Sequence, residues 1–571
     1  MVAETQDLDE LRVRARTWLD EDPDPATRDE LAQLLDELPN SRAELADRFA
    51  GPLTFGTAGL RGPLRAGPNG MNLAVVTRAA AGLVGWLTAR AAPGPLIIGY
   101  DARHGSKAFA ERTAQVATGA GRPALLLPRP LPTPVLAHAV RVLGAVAGVM
   151  VTASHNPPQD NGYKVYLGAA LGSPRGAGAQ IVSPADAEIE AAIRAVGPLS
   201  SVPLGPAGEL LDDSVVTGYV AGAVGILDPG GPRELATAYT ALHGVGATVL
   251  SAAFASAGFA MPGLVADQVE PDPDFPTVAF PNPEEPGAVD RLITLAAATG
   301  ADLAIANDPD ADRCAVAIPD SGSTTGWRML RGDELGVLLA DHLISRGVRG
   351  LFATTIVSST LLGAICRARG LPYAETLTGF KWIVRAEADE VPGDPPLVYG
   401  YEEALGYCVA PELVRDKDGI TAALTVAELA AGLKARGRTL ADRLDELATE
   451  FGVHLTDQLS VRVVDLAEIT TLMARIRAEP PTTLLGEEVG AVDDLAPAAD
   501  VLILRTGSAR VVVRPSGTEP KLKAYLEIVA PVETAREPAT DPAGALAGAR
   551  RRAAAAITTL RAEVAAALGV A

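Results

Sequence analysis

Residues 142–157 read VLGAVAGVMVTASHNP. A run of small and apolar side chains ends abruptly at Ser154-His155-Asn156-Pro157, as a buried strand does when it hands over to a loop. The same pattern recurs along the chain. PLIIGYD (95–101) ends in an acid, and a helical stretch follows from about Lys107 to Gly119. ELATAYTALHG (234–244), GLFATTIVSS (350–359) and LVYGYEEALGY (397–407) each run from apolar to polar. DLAIANDPDADRCAVAI (302–318) predicts a strand-loop-strand with acids at its tip. Strands alternating with helical stretches imply βαβ units and mostly parallel sheets. Ligands of such sheets gather beyond the carboxyl ends of the strands. The polar motifs fall at those ends, which marks them as a site and not as ordinary turns.

The flanks of this core read differently. Residues 8–50 show helical spacing of Leu8, Leu11, Val13, Leu31, Leu34 and Leu35. Stretches 204–213, 317–327 and roughly 437–456 read as linkers. The last segment carries SVRVVD, then VLILRTGSARVVVRPSGTEPKLKAYLEIVA, then an Ala-rich tail from about 542. That order predicts a small α+β domain with a plain helix on its surface.

The chain has 571 residues, long enough for about four domains. Its net charge of −21 disfavours nucleic acid or an anionic membrane as the main partner. An anionic substrate must therefore meet a local cluster of positive charge. The three cysteines, Cys314, Cys366 and Cys408, are far apart and odd in number, which argues against a disulfide framework. The histidines form no ligand pair at helical spacing, so zinc is disfavoured. The N-terminus MVAETQDLDEL lacks an apolar signal core, and the longest apolar run, Leu143–Ala153, is too short to span a bilayer. A cytoplasmic location is the expectation.

Four motifs carry the chemistry. TASHNP (152–157) presents the Ser154 hydroxyl beyond a strand, without the G-x-S-x-G elbow of acyl-transfer hydrolases. Alone, such a serine is usually an ordinary loop residue. DPDAD (308–312) sets Asp308, Asp310 and Asp312 at alternate positions, and three converging carboxylates call for Mg²⁺ or Ca²⁺. An EF-hand is excluded, because Arg313 stands where that loop needs Gly and Pro319 where it needs Glu. A solvated acidic turn is the bland alternative, and an apolar strand on each side speaks against it. RPSGTEPK (514–521) gathers Arg514, Ser516, Gly517 and Thr518, donors that suit a phosphate better than a plain turn. GYEEALGY (400–407) offers Glu402 and Glu403 to sugar hydroxyls, or is merely an acidic helix start. NGYK (161–164) brings Lys164 close behind the serine, GLRG (59–62) adds Arg61, and TLTGFKW (376–382) adds Lys381. A serine nucleophile, an acidic triad and a phosphate clamp together fit phosphoryl transfer. Neither a G-x-G-x-x-G nor a G-x-x-x-x-G-K-[ST] nucleotide loop is present.

Taken in order, these motifs resemble the α-D-phosphohexomutase superfamily over nearly the whole chain. FGTAGLRG (55–62), FPNPEEP (280–286), TLTGFKW and DKDGI (416–420) look like the branch that holds phosphoglucomutases, phosphomannomutases, phosphopentomutases and glucose-1,6-bisphosphate synthases. The resemblance implies an α/β fold. Three successive α/β domains with mixed or parallel sheets and a C-terminal α+β domain would form a heart around a central cleft. The expected division is 1–212 with the phosphoserine loop, 213–322 with the metal loop, 323–445 with the sugar loop, and a mobile 446–571 with the phosphate loop.

Carried over by motif, Ser154 would bear the phosphate, and Asp308, Asp310 and Asp312 would hold Mg²⁺ together with a phosphoserine oxygen. Lys164 and Arg61 would stand near the reacting oxygen, with Lys164 as general acid/base, and His155 would support the serine loop. Arg313 would contact phosphate. Thr378, Gly379 and Lys381 would form a substrate loop, and Glu402 and Glu403 would meet the sugar hydroxyls. Arg514, Ser516, Gly517, Thr518 and Lys521 would clamp the phosphate that is not reacting. One departure is Ala404, where many hexomutases have Ser, so a hydrogen bond of about 1 kcal/mol to the sugar is missing.

The expected reaction interconverts hexose 1-phosphate and hexose 6-phosphate, glucose or mannose, through a hexose 1,6-bisphosphate intermediate that also serves as activator. The expected partner is a small phosphosugar, with no nucleic acid and no membrane, and the protein is a monomer or homodimer. The alternatives are a phosphopentomutase acting on ribose or deoxyribose 1-phosphate, a glucose-1,6-bisphosphate synthase, a serine-nucleophile phosphatase, and an inactive phosphosugar-binding homologue.

Overall fold

The computed structural model describes residues 2–56, 59–173, 175–387, 394–463, 466–516, 521–533 and 542–570. The chain forms two compact units. One comprises Met1–Leu330, Glu387–Gly400 and Leu405–Ala435, and the other Arg331–Ala386, Tyr401–Ala404 and Arg436–Ala571.

In the first unit, helices Val2–Glu21, Pro25–Asp36 and Arg42–Arg48 pack on a small core of Leu11, Ala15, Leu31, Leu45 and Phe49. A seven-stranded sheet follows: β1 (Leu60–Pro63), β2 (Leu96–Tyr100), β3 (Ala124–Leu126), β4 (Ala147–Val151), β5 (Asp160–Leu167), β6 (Ala179–Gln180) and β7 (Glu209–Leu210). Its order is β1-β5-β4-β2-β3-β7, with β6 paired to β5. β2 runs parallel to β3 and β4, while β5 is antiparallel to both β4 and β1. The strands LIIGY and AGVMV are buried throughout, as continuous apolar runs covered on both faces must be. Helices Leu73–Ala89 and Ser106–Gly119 supply Val76, Leu83, Phe109 and Ala114 to that core. Each large aliphatic buried there contributes about 1.5–3 kcal/mol.

The same unit holds a five-stranded sheet: β8 (Thr237–Thr240), β9 (Gly263–Leu264), β10 (Leu303–Ala306), β11 (Ala315–Pro319) and β12 (Trp327–Met329), in the order β12-β11-β10-β8-β9. β10 is parallel to β8 and antiparallel to β11, so DPDAD lies at the tip of a strand-loop-strand as the sequence predicts.

Four further strands are β13 (Leu351–Thr355), β14 (Tyr373–Thr376), β15 (Leu397–Glu402) and β16 (Gly406–Cys408). In the second unit β13 and β14 pair in parallel, and Thr354 Oγ1 donates to the Tyr401 carbonyl at 2.9 Å. The C-terminal strands are β17 (Val453–Arg462), β18 (Thr483–Leu484), β19 (Glu487–Glu488), β20 (Ala491–Asp494), β21 (Leu502–Arg505), β22 (Ala509–Pro515) and β23 (Lys521–Ala530). Five of them make an antiparallel sheet in the order β17-β23-β22-β21-β20, and β18 pairs with β19.

Two sequence readings are corrected. The Ala-rich tail, Pro542–Leu568, is not a plain surface helix. Leu546, Ala549, Ala553, Leu560, Val564 and Leu568 are buried in the core of the C-terminal sheet. The stretch 317–327 is no linker but the turn of the β11–β12 hairpin. The stretch 437–456 is not irregular throughout: it holds the helix Leu440–Phe451, whose Thr439–Asp442 capping box starts it firmly.

Candidate active site

The serine loop leaves the end of β4. Ser154 has φ 52°, a left-handed backbone that a non-glycine residue holds only when its surroundings force it. Arg103 is the forcing element. Its guanidinium donates to the carbonyls of Ser154 (2.7 Å), Pro157 (2.7 Å), Asp160 (3.1 Å) and Asn156. Asp101 balances its charge, with Arg103 Nε 3.4 Å from Asp101 Oδ2, and the Phe275 ring covers it at 4.9 Å. Arg103 sits in YDARHG, where nothing in the local pattern marks it, and the sequence reading missed it.

The acidic loop meets the serine directly. Ser154 Oγ donates to Asp308 Oδ2 at 2.8 Å. Lys164 Nζ, from β5, lies 2.8 Å from Asp310 Oδ2 and 3.0 Å from Asp312 Oδ2. Lys417 Nζ lies 3.3 Å from Asp312 Oδ2, a second buried ammonium in a motif read only as a family mark. Thr133 pins the loop from the other side, with its Oγ1 donating to Asp310 Oδ2 at 2.8 Å and its N–H to the Asp310 carbonyl at 2.9 Å. Arg313 N–H donates to Asp308 Oδ1 at 3.0 Å, and the Arg313 guanidinium stands 3.8 Å from Asp312. Behind the loop, a Cβ on Gly244 would lie 2.3 Å from Pro309 Cα, so only glycine allows that approach. Arg61 Nη1 donates to Asn156 Oδ1 at 3.1 Å, and His155 Nδ1 lies 3.5 Å from Ser154 Oγ.

Three buried carboxylates cannot share one pocket at equal cost. Burial, with Asp310 and Asp312 beside it, pushes Asp308 well above the ordinary carboxylate range. Burial also raises Asp310, but Lys164 and the hydrogen bond from Thr133 bring it below that range. For Asp312, burial and Asp310 push upward while Lys164, Lys417 and Arg313 prevail downward. Lys164 is pulled down by burial, and Asp310 and Asp312 more than reverse that, so its ammonium keeps its proton. Burial, then Arg313 and Arg61, holds His155 well below its usual value, so its ring is neutral.

The triad is also a fitting cation cradle. One oxygen from each carboxylate lies within 4.8 Å of the others. Asp310 Oδ1 and Asp312 Oδ1 are buried without a hydrogen-bond partner among the described residues. All donors are oxygen, which suits a hard divalent ion.

The second unit carries the remaining predicted residues. Thr378 and Gly379 precede the short helix Phe380–Ile383, which bears Lys381, its Nζ 5.6 Å over the Trp382 ring. Glu403 Oε2 accepts from Thr355 Oγ1 and Ser358 Oγ, both at 3.3 Å, and follows Glu402 at the end of β15. Arg514 is the penultimate residue of β22, Ser516 follows the strand's end at Pro515, and Lys521 starts β23, with the Ser516 N–H donating to the Lys521 carbonyl at 2.8 Å. Gly517 and Thr518 lie outside the described residues. Tyr525, missed in the sequence, is hydrogen-bonded to Arg514, and burial together with Glu403 raises its phenol.

Four family models match the chain in order. They describe the phosphoglucomutase/phosphomannomutase alpha/beta/alpha domains I, II and III and the C-terminal domain, over residues 52–197, 219–322, 331–451 and 459–544. A probable phosphomannomutase of Haemophilus influenzae is 46% identical over 467 residues, 80% of this chain and 93% of that protein. A phosphopentomutase of Mus musculus is 33% identical over 570 residues, 90% of this chain and 89% of that protein. The crystal structure of a phosphoglucomutase/phosphomannomutase family protein from Burkholderia thailandensis shares the fold, with a TM-score of 0.65 at 20% identity, over 87% of this chain and 96% of that one.

Proposed function

The chain belongs to the phosphoglucomutase/phosphomannomutase family and is a phosphosugar mutase, and from that premise we propose that it interconverts hexose 1-phosphate and hexose 6-phosphate, glucose or mannose, through a phosphoserine at Ser154. The observation that carries the phosphoserine step is the 2.8 Å contact of Ser154 Oγ with Asp308. A nucleophile set against a buried acidic triad suits phosphoryl transfer and little else. The 46% identity to a probable phosphomannomutase supports a hexose substrate.

Asp308, Asp310 and Asp312 would hold Mg²⁺. When bound, the ion offsets the negative charge on the transferring group. The chain's own residues do the rest. Ser154 carries the phosphoryl and passes it to the free sugar hydroxyl, making a hexose 1,6-bisphosphate. Lys164 holds a proton at Nζ, gives it to the oxygen that leaves and takes one from the oxygen that attacks. Arg61 and Arg313 add positive charge beside the serine, and neutral His155 supports its loop. Glu402 and Glu403 orient the sugar, aided by Thr378, Gly379 and Lys381. Arg514, Ser516, Gly517, Thr518 and Lys521 hold the phosphate that is not reacting. After the intermediate reverses its ends, its other phosphate returns to Ser154. Residues 446–571 act as the mobile domain that excludes water, which would otherwise take the phosphoryl. Domains I to III lie near 1–212, 213–322 and 323–445, the third edge belonging with the end of the helix Leu440–Phe451.

A monomer or homodimer in the cytoplasm is part of the same proposal, and three free, buried cysteines agree with a reducing compartment. Among the described residues no helix is long and apolar enough to cross a membrane.

The 33% identity to a phosphopentomutase over 90% of the chain favours a second reading, ribose or deoxyribose 1-phosphate as substrate. A parallel assay with glucose, mannose, ribose and deoxyribose 1-phosphates decides between them by the ratio of kcat/KM. Higher values for either hexose uphold the proposal. Higher values for either pentose replace it with the second reading.

A further inference from the structure

The second unit contains a relay that joins the strands of the phosphate segment to the carboxylate Glu403. In the β22–β23 register, Arg510 pairs with Glu527, Val512 with Tyr525 and Arg514 with Lys523. Directly opposite residues of an antiparallel pair share a face. The alternate face, with Val511, Val513, Ala524 and Leu526, is spent on the core of the C-terminal sheet. The face bearing Arg510 and Glu527 packs instead on Ile356 and Val357, which lie with Val512 in a separate apolar cluster.

Two charged side chains of that face grip the loop that follows β13. The Arg510 guanidinium donates to the Ile356 carbonyl and, at 3.0 Å, to the Ser358 carbonyl. Glu527 Oε1 accepts from Ser359 Oγ at 2.7 Å and from the Thr360 N–H at 2.8 Å. His454 Nδ1 stands 3.1 Å from the same oxygen. All of Arg510, Ser358, Ser359 and Glu527 are buried. A grip of two ionised groups in a buried setting is stiff, since losing either leaves polar groups unsatisfied.

The other side of the same loop faces the segment that carries Glu403. Ser358 Oγ lies 2.9 Å from Thr355 Oγ1, and both hydroxyls reach Glu403 Oε2 at 3.3 Å. Asp333 Oδ1 accepts from the Ser359 N–H at 2.7 Å and from the Tyr401 hydroxyl at 3.0 Å. A Cβ on Gly332 would lie 1.8 Å from the Glu403 carbonyl oxygen, so the backbone there is held as well as the side chain. Ser358 is the residue common to both sides. Its hydroxyl meets Glu403 and its carbonyl meets Arg510.

We propose that Ser358 is a positioning residue for Glu403, held by Arg510, so that the strands carrying the phosphate segment set the direction of the sugar-contacting carboxylate. This rests on Glu403 as a sugar contact and on residues 514–521 as the phosphate clamp. Glu403 has freedom about its side-chain torsions, and a carboxylate that orients a sugar must be fixed before the sugar arrives. Two hydroxyls on one oxygen supply that fixation, and Arg510 fixes the hydroxyls.

The test is a kinetic cycle on full-length protein with hexose 1-phosphate. Ser358→Ala raises KM about threefold to tenfold, the equivalent of one ordinary hydrogen bond, and leaves the thermal midpoint near the parent's. Ser358→Thr, which keeps the hydroxyl, returns KM toward the parental value. Arg510→Lys raises KM in the same direction. The double variant Ser358→Ala/Arg510→Lys is no worse than Ser358→Ala alone, because both act on one path. A parental KM in folded Ser358→Ala, or additive effects in the double variant, overturns the inference. Should Ser358→Ala not fold, a parental KM in Arg510→Lys overturns it. Mutase turnover of the parent, followed in the same assay, separates the two levels. A parent that turns over hexose phosphate while the variants match it fails this inference alone. A parent with no turnover of any sugar phosphate fails the proposed function and this inference together.

Discussion

Ser154 Oγ and Asp308 Oδ2 lie 2.8 Å apart, although 154 positions separate them in the chain. Two α/β sheets, each ending a strand at the same place, bring that hydroxyl and that carboxylate together. Thr133 and Lys164, both from the serine's side, then bind Asp310 and lock the arrangement. The geometry has consequences for metal binding, backbone support and pH.

A divalent ion held by Asp308, Asp310 and Asp312 would relieve their crowding. Mg²⁺ therefore raises the thermal midpoint of the metal-stripped protein, by the equivalent of about 2.7 kcal/mol at a hundred times the dissociation constant. Asp308→Asn removes one ligand and most of this response. Differential scanning calorimetry with and without Mg²⁺ measures both.

Gly244 lets its loop pass against Pro309 of the acidic loop. Gly244→Ala forces the two apart at a cost of about 1–3 kcal/mol. Because the displaced residue sits between two ligands of the triad, the Mg²⁺ concentration needed for half-maximal thermal stabilisation rises. A titration followed by thermal melting reads this without any activity assay.

Arg103 satisfies four backbone carbonyls around the serine and balances buried Asp101. Arg103→Met leaves that carboxylate and those carbonyls without their partner. Stability falls by about 3–5 kcal/mol, as for any buried pair broken on one side. Urea denaturation measures the fall. Phosphoryl transfer falls with it, since Ser154 no longer has its strained backbone enforced.

Asp418 caps the helix Gly419–Lys434 by accepting from the Ile420 and Thr421 N–H groups, and it also accepts from the Tyr219 hydroxyl at 2.7 Å. Burial pushes its carboxyl up to about 6 against these hydrogen bonds, from an ordinary value of 3.8. A carboxyl raised in the folded state favours folding while protonated. That contribution is whole below about pH 4 and is lost as pH rises through about 6, a change of about 3 kcal/mol. Asp418→Asn keeps the acceptor and cannot ionise. The stability of the variant relative to the parent therefore improves between pH 4 and pH 7, which parallel denaturation curves at the two pH values reveal.

Much of this site was legible because its residues stand at the ends of apolar strands and in short, chemically pointed runs. Asp308, Asp310 and Asp312 announce themselves by their alternation, and Ser154 by its place after AGVMV. Arg103 was illegible because its partners are backbone carbonyls 51 to 57 positions away, which no side-chain pattern records. Lys417 and Tyr525 gain meaning only from neighbours that the fold supplies, Asp312 for one and Arg514 for the other. The tail helix misled for a compositional reason. Alanine lines both of its sides, so the buried stripe through Leu546, Leu560 and Val564 barely stands out.

The most direct test of the account is the intact mass of the protein after incubation with Mg²⁺ and hexose 1,6-bisphosphate. The parent gains one phosphoryl group, peptide mapping finds it on Ser154, and Ser154→Ala gains none and loses mutase activity. A parent that turns over hexose phosphate without ever carrying a phosphoryl group, or a fully active Ser154→Ala, contradicts it.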